Sequence, residues 1–243
     1  MRFRLVIAYD GTDYHGWQIQ PNGRSIQATL QEAIARMTGE STSVVAAGRT
    51  DAGVHASAQV ISFALQRPVT PEAVVRGLNA LTPPDIAIQC ADTVADDFHP
   101  RRAATTRVYV YRIWNAPWQS PFWRRYAWHV RNPLQDEPMR KAAAALIGEH
   151  DFRSFQAAGC QAKQPVRRVF RSELARRDPL LTYTIEANGF LRHMVRNIVG
   201  TLVEIGSGAR DPDNLPTLFA ARDRTQAGPT APARGLCLTQ VNY

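Results

Sequence analysis

Phe3, Leu5, Ile7 and Tyr9 alternate with Arg2, Arg4, Val6 and Ala8, a period of two that predicts a strand with one buried face. A glycine-bearing turn follows over 10–17. Ser25 then stands where a helix cap belongs, ahead of Ile26, Leu30, Ile34 and Met37 at helical spacing. The apolar run 44–47 and the run 58–65 read as strands on either side of a turn. Thr70 and Pro71 open a second helix through Val74, Val75 and Leu78, with proline in its favoured first turn. Ile86, Ala87 and Ile88 close this half as a strand. The order β-α-β-β-α-β is that of a ferredoxin-like unit.

A second half begins with the alternating stretch 105–114. A strand near 126–130, a helix over about 136–147 and a loop near 151–166 come next. Two strands, near 167–176 and 180–187, run into an apolar helix expected over 190–206. A short helix near 213–222, a Gly- and Pro-bearing loop over 228–234 and a strand at 236–241 complete the layout. The fold class expected is α/β (α+β): two ferredoxin-like or RRM-like halves, 1–100 and 101–243. They are expected to share a largely antiparallel sheet flanked by helices.

Composition narrows the partners. The chain has 243 residues, 44% hydrophobic and 21% charged, as in soluble globular proteins. No apolar run approaches membrane-spanning length, and no apolar signal core follows Met1, so a cytoplasmic location is the default. The three cysteines, Cys90, Cys160 and Cys237, form no Cys-x-x-Cys pair, and no two histidines stand four apart. Neither a disulfide framework nor a metal site is expected. The net charge of +8 is a field that attracts polyanions. All the basic residues except Lys141 and Lys163 are arginine, whose planar fork suits phosphate contacts and base stacking. Nucleic acid is the leading partner class; a membrane surface lacks a basic amphipathic helix to support it.

The candidate chemistry centres on Ala47-Gly48-Arg49-Thr50-Asp51-Ala52-Gly53-Val54-His55. Glycines bracket a carboxylate, Asp51, with Arg49 two residues before it. An acid on such a loop beside a fixed cation is one way to keep a reactive carboxylate ionised. The plainer reading is a turn with a surface ion pair. Arg196 lies inside the long apolar helix and needs a partner if buried; Asp51, Glu186 and Glu204 are candidates. Tyr109 and Tyr111 share one strand face, and with Arg107 and Phe98-His99-Pro100-Arg101-Arg102 they interleave rings with cations. That combination can hold unpaired RNA bases. Ordinary strand packing of the tyrosines is the alternative.

Taken together, these stretches resemble the TruA-type tRNA pseudouridine synthases. Tyr9-Asp10-Gly11-Thr12-Asp13-Tyr14-His15-Gly16-Trp17-Gln18 is similar to the family's N-terminal signature, and Ala47 to His55 to its catalytic loop. Asp97-Phe98-His99, Arg107 to Tyr111, His193 to Gly200 and Gly235-Leu236 follow in family order. The resemblance implies that Asp51 is the catalytic aspartate and that Tyr109 stacks on the target uracil. It implies that Arg196 pairs with Asp51, that Arg49 displaces the target base and that Leu236 lines the base pocket. Family members often carry two basic residues before the stacking tyrosine, where this chain has Arg107-Val108. The loop 159–164 also diverges.

The activity implied is isomerisation of uridine to pseudouridine in the anticodon stem-loop of tRNA, near positions 38 to 40. A homodimer is implied, and no cofactor or metal. Two rivals use the same residues. One is a non-catalytic tRNA-binding protein. The other is a nucleoside or glycoside hydrolase, with Asp10 or Asp13 as the second carboxyl beside Asp51.

Overall fold

The computed structural model describes residues 1–21, 23–160, 162 and 164–243. The chain divides into two compact units: Met1–Thr105 with Cys237–Tyr243, and Thr106–Leu236. Each is a mostly antiparallel sheet flanked by helices, so the mixed α/β class expected from the sequence holds for both.

In the first unit β1 (Arg2–Tyr9) is the central strand, with β3 (His55–Ala64) and β4 (Ile86–Val94) antiparallel on its two sides. Its burial alternates as the sequence predicts: Phe3, Leu5 and Ile7 are fully buried. Each such side chain contributes roughly 1.5–3 kcal/mol of transfer free energy. Phe3 meets Phe63 across the pair, ring centres 5.7 Å apart. The run 44–47 forms only a two-residue strand, β2 (Val45–Ala46), against the far end of β3.

The two helices expected in this unit begin where their caps were read. The Ser25 hydroxyl accepts from the Ala28 amide at the head of α1 (Ile26–Thr38), and Thr70 does the same for Ala73 at α2 (Pro71–Leu81). Gly77 of α2 lies against Met37 of α1, with no room for a methyl group between them. An unforeseen short helix, α3 (Pro100–Ala103), is capped by the His99 ring, which accepts from the Arg101 and Arg102 amides. The last strand, β10 (Leu236–Asn242), was expected in the second half. Its residues Cys237 and Leu238 instead pair in parallel with His55 and Ala56 of β3.

In the second unit β5 (Thr106–Asn115), β9 (Leu180–Ala187), β8 (Val166–Arg177) and β7 (Gly148–Asp151) pair antiparallel in that order. A short strand, β6 (Trp128–Val130), runs parallel to the end of β5. β7 falls where the sequence read only a helix end and the start of a loop. The helix before it, α4 (Asp136–Ala144), stops short of the expected limit, giving way to turns before Gly148 at φ +113°. The long apolar helix α5 begins at Met194 and ends at Gly206, not from 190. His193 takes the left-handed conformation, φ +60°, and so cannot continue a helix backwards. α6 (Leu215–Ala221) follows, and the loop 228–234 is irregular as expected, ending in a 3-10 turn.

Candidate active site

The Asp51 turn is built by its own glycines and by the loop that follows β1. The Val54 amide donates to the Asp51 carbonyl at 3.1 Å, closing a four-residue turn whose third residue, Gly53, has φ +76°. The 10–17 loop then grips this turn along its length. The Trp17 amide donates to the Thr50 carbonyl at 3.0 Å and the Gly53 amide to the Tyr14 carbonyl at 3.3 Å. The approach is so close that a Cβ on Gly11 would sit 2.1 Å from the Val54 carbonyl oxygen. On Gly16, at φ +89°, it would sit 2.7 Å from that of Thr50 and 3.0 Å from the Asp51 carbonyl carbon. Both glycines are required by the packing of backbone on backbone.

Side chains complete the clamp. The buried Tyr9 hydroxyl and the Thr50 hydroxyl are hydrogen-bonded at 2.8 Å. Burial pushes the Tyr9 phenol up to about 12, although Thr50 and Gln59 pull the other way, so it is neutral at any physiological pH. The Gln59 amide donates to the Gly48 carbonyl at 2.8 Å. The His55 Nδ1 lies 3.1 Å from both the Gly11 amide and a carboxylate oxygen of Asp10. Asp10 also accepts from the Thr12 amide and hydroxyl, at 2.9 and 2.5 Å. It is an anchor of the loop, and this removes it from contention as the free acid that a hydrolase would need. Below this scaffold, Thr50 and Val54 are buried; above it Arg49 is exposed and Asp51 half-buried. The turn therefore holds the Asp51 carboxylate and the Arg49 guanidinium on a backbone fixed by these contacts.

In the second unit Tyr109 lies on β5 with 8% of its surface exposed. Phe190 meets its ring edge-on at 5.0 Å and 85°, which fixes the ring plane. Tyr111, on the same strand face, is fully buried and donates to the Pro232 carbonyl at 2.7 Å. It is a packing residue, and burial raises its phenol further still, against the pull of Arg196 and Arg234. Gly235 sits flat on that ring: a Cβ there would lie 2.5 Å from the Tyr111 ring carbon bearing the hydroxyl. The next residue, Leu236, is 95% buried as β10 begins. Arg107 is nearly as buried, and one of its guanidinium nitrogens donates to the Asn188 carbonyl at 3.1 Å.

Because α5 starts at Met194, Arg196 occupies its first turn and is only half-buried. Its Nε donates to the Ala231 carbonyl at 2.7 Å, and the Ala231 amide returns a bond to the Arg196 carbonyl at 3.1 Å. Of the acids in its own half, Glu204 is bound by Arg210 at 2.9 Å and Glu186 accepts from Thr106 at 2.6 Å.

The residue that sequence reasoning passed over is its neighbour, Asn197. Fully buried, it donates to the Phe155 carbonyl at 2.8 Å and accepts from Thr230 at 2.6 Å and Arg224 at 3.0 Å. A polar residue in a helix apolar nearly all round was the available signal. Of the divergent 159–164 loop, Gln161 and Lys163 lie outside the described residues. Among the described residues no group of three His, Cys, Asp or Glu is placed to hold a metal ion, and no helix is long and apolar enough to cross a membrane.

The family model described as tRNA pseudouridine synthase matches residues 5–101 and 142–243. A tRNA pseudouridine synthase A from Moorella thermoacetica is 48% identical over 242 residues, covering 99% of this chain and 98% of the relative. Enzymes of the same name from Myxococcus xanthus and Syntrophotalea carbinolica are 47% and 46% identical. They cover 100% and 99% of this chain, and 92% and 95% of their own lengths. With a polyanion-attracting charge and a clamped acidic turn inside the matched stretch, the chain belongs to the tRNA pseudouridine synthase family.

Proposed function

We propose that this protein converts uridine to pseudouridine in the anticodon stem-loop of tRNA with Asp51 as the catalytic carboxylate. The C1′–N1 bond breaks, the uracil turns, and C5 bonds to C1′; the C5 hydrogen leaves as a proton and N1 gains one. No atoms or electrons are gained or lost overall, so the reaction requires no redox or group-carrier cofactor. Asp51 attacks the sugar or serves as the base there, and Arg196 pairs with it to keep it ionised. Extruding the target base from its stack costs a few kcal/mol. Arg49 filling the vacated space and Tyr109 stacking on the uracil offset that cost. Leu236 supplies an apolar wall to the base pocket. The reading extends to a homodimer working in the cytoplasm.

The observation that carries it is the double-loop clamp. It holds a half-exposed carboxylate on a turn fixed by backbone bonds from Trp17, Gly53 and Val54. Such rigidity has no use in a surface ion pair and is what a reacting group requires. The test is tritium release from tRNA labelled at uracil C5. Wild type should release tritium, and Asp51→Ala should release none while binding tRNA with nearly unchanged affinity. Turnover by Asp51→Ala would remove Asp51 from the chemistry. Binding without release by the wild type would favour a non-catalytic tRNA-binding protein, and free uracil among the products would favour a hydrolase.

A further inference from the structure

β5 and β6 are neighbours in sequence yet pair in parallel, so the twelve residues between Asn115 and Trp128 must cross over from the end of one strand to the start of the other. They do so as an ordered arm. The Trp114 indole donates to the Trp118 carbonyl at 2.9 Å. The Trp123 amide donates to the buried Ser120 hydroxyl at 3.3 Å, and the Tyr126 and Ala127 amides both reach the Trp123 carbonyl at 2.9 Å. This anchored backbone displays large rings to solvent: Phe122 is 85% exposed, Trp118 67% and Tyr126 38%. Phe122 and Trp118 are the two most exposed of the large hydrophobic side chains described. Arg124, Arg125 and Arg131 are exposed in the same stretch, and no acidic residue occurs between Pro117 and Arg131.

We propose that this arm is a second RNA-binding surface, on which Trp118 and Phe122 stack on unpaired nucleotides of tRNA while the arginines neutralise phosphates. Exposed rings are costly to a soluble protein unless something covers them. Rings interleaved with cations and free of acids match a nucleic acid, since every base has a face to stack and every nucleotide a charge to neutralise. A second copy of the chain fits less well. A two-fold contact centred here would bring Arg124 and Arg125 against their own copies with no carboxylate in the arm to separate them. The surface is distinct from the base pocket proposed above. Tyr109 and Asn115 are six residues apart on β5, so the arm starts about 20 Å along the strand from the stacking ring. It would therefore engage RNA outside the target nucleotide, in a loop or end where bases are unpaired.

This inference rests on tRNA being the substrate, and the experiment separates the two. The variants are Trp118→Ala with Phe122→Ala, and Arg124→Gln alone, each measured beside wild type by tritium release, tRNA binding across a salt series, thermal melting and sedimentation. Wild-type release establishes the substrate independently of the arm. The ring variant should then raise KM and Kd about tenfold or more, with kcat, melting temperature and sedimenting mass unchanged. Arg124→Gln should lower the slope of log affinity against log salt by about 0.7–0.9. Unchanged KM and salt slope in an active enzyme would overturn the proposal. So would a loss of affinity accompanied by a fall in sedimenting mass, which would assign the arm to contact between copies of the chain.

Discussion

Gly16→Ala tests whether the clamp positions Asp51 for the proposed reaction. A methyl group at this position would stand 2.7 Å from the Thr50 carbonyl oxygen, where ordinary contact begins near 3.4 Å, so the two loops must part by about 0.7 Å. The obstacles are backbone atoms of Thr50, Asp51 and Ala52, and no side chain can swing aside to relieve them. The φ of +89° adds a backbone penalty of about 1–2 kcal/mol for a residue with a Cβ. That penalty lowers the melting temperature by about 2–8 °C in a chain of this size. If Asp51 reacts as proposed, a displacement of its carboxylate approaching 1 Å costs on the order of 100-fold in rate. The control is Gly39→Ala. Gly39 caps α1 at φ +76° with nothing within 4 Å of its missing Cβ, so it carries the backbone penalty without the displacement. Single-turnover tritium release at saturating tRNA, well below the melting temperatures, reads the difference. Gly16→Ala should be slowed about 100-fold and Gly39→Ala hardly at all. Equal rates in the two variants, whether fast or slow, would refute the argument: the first case would show that the clamp does not position the carboxylate, the second that lost stability alone explains the defect.

Three further outcomes follow from the geometry. Asn197→Leu removes the bonds that the Phe155 carbonyl, Thr230 and Arg224 make to Asn197 and should cost about 2–4 kcal/mol, read as a lower denaturant midpoint. Arg196→Lys keeps the charge but loses the planar fork, whose Nε bonds the Ala231 carbonyl and whose remaining donors would serve the proposed pairing with Asp51. It should lower kcat tenfold or more with tRNA affinity retained, and wild-type kcat would dissociate Arg196 from Asp51. Burial holds Tyr9, Tyr14, Tyr111 and Tyr183 above the usual tyrosine range, with the Asp85 hydrogen bond adding to the effect at Tyr14. Their folded forms keep the proton that the unfolded chain loses near pH 10, so this stability is intact below pH 10 and is lost progressively as pH rises above it. An alkaline absorbance titration should therefore show these four of the seven tyrosines ionising only with unfolding.

Local signals carried much of the fold. Ser25 and Thr70 announced their helices because capping depends on a few neighbouring residues, and β1 announced itself by strict alternation. What escaped depends on distant partners or on single backbone angles. β7, Gly148–Asp151, is four residues long with a charge or imidazole at three of them, and only its pairing with β8 makes it a strand. The start of α5 was misplaced by four residues because nothing in the letters marks the left-handed His193. The same gap separates the two parts of the site. The bracket of glycines around Arg49 and Asp51 was legible, since a turn is a local object. That Gly11 and Gly16 are required by that turn was not, because their neighbours lie 34 to 43 residues away in sequence. Tyr109 and Tyr111 looked equivalent by alternation; a hydrogen bond to Pro232, more than a hundred residues on, assigns Tyr111 to packing.

The parallel pairing of β10 with β3 bears on how the protein is made. Strand β3, which leads directly out of the Asp51 turn, finds Cys237 and Leu238 as neighbours only after residues 106–236 have been synthesised. At ribosomal speeds of about 5–20 residues per second, that interval is roughly 7–26 s. Through it the first unit lacks part of its sheet: the Thr105 amide waits for the Asn242 carbonyl, and Phe98 for the Tyr243 ring. The strands that pair with one another within the second unit, β5 to β9, have all emerged by Ala187. The sheet of the first unit therefore stays incomplete until residues 237–242 emerge, so a ribosome that stalls before them leaves a nascent chain whose Asp51-bearing sheet is still open at one side.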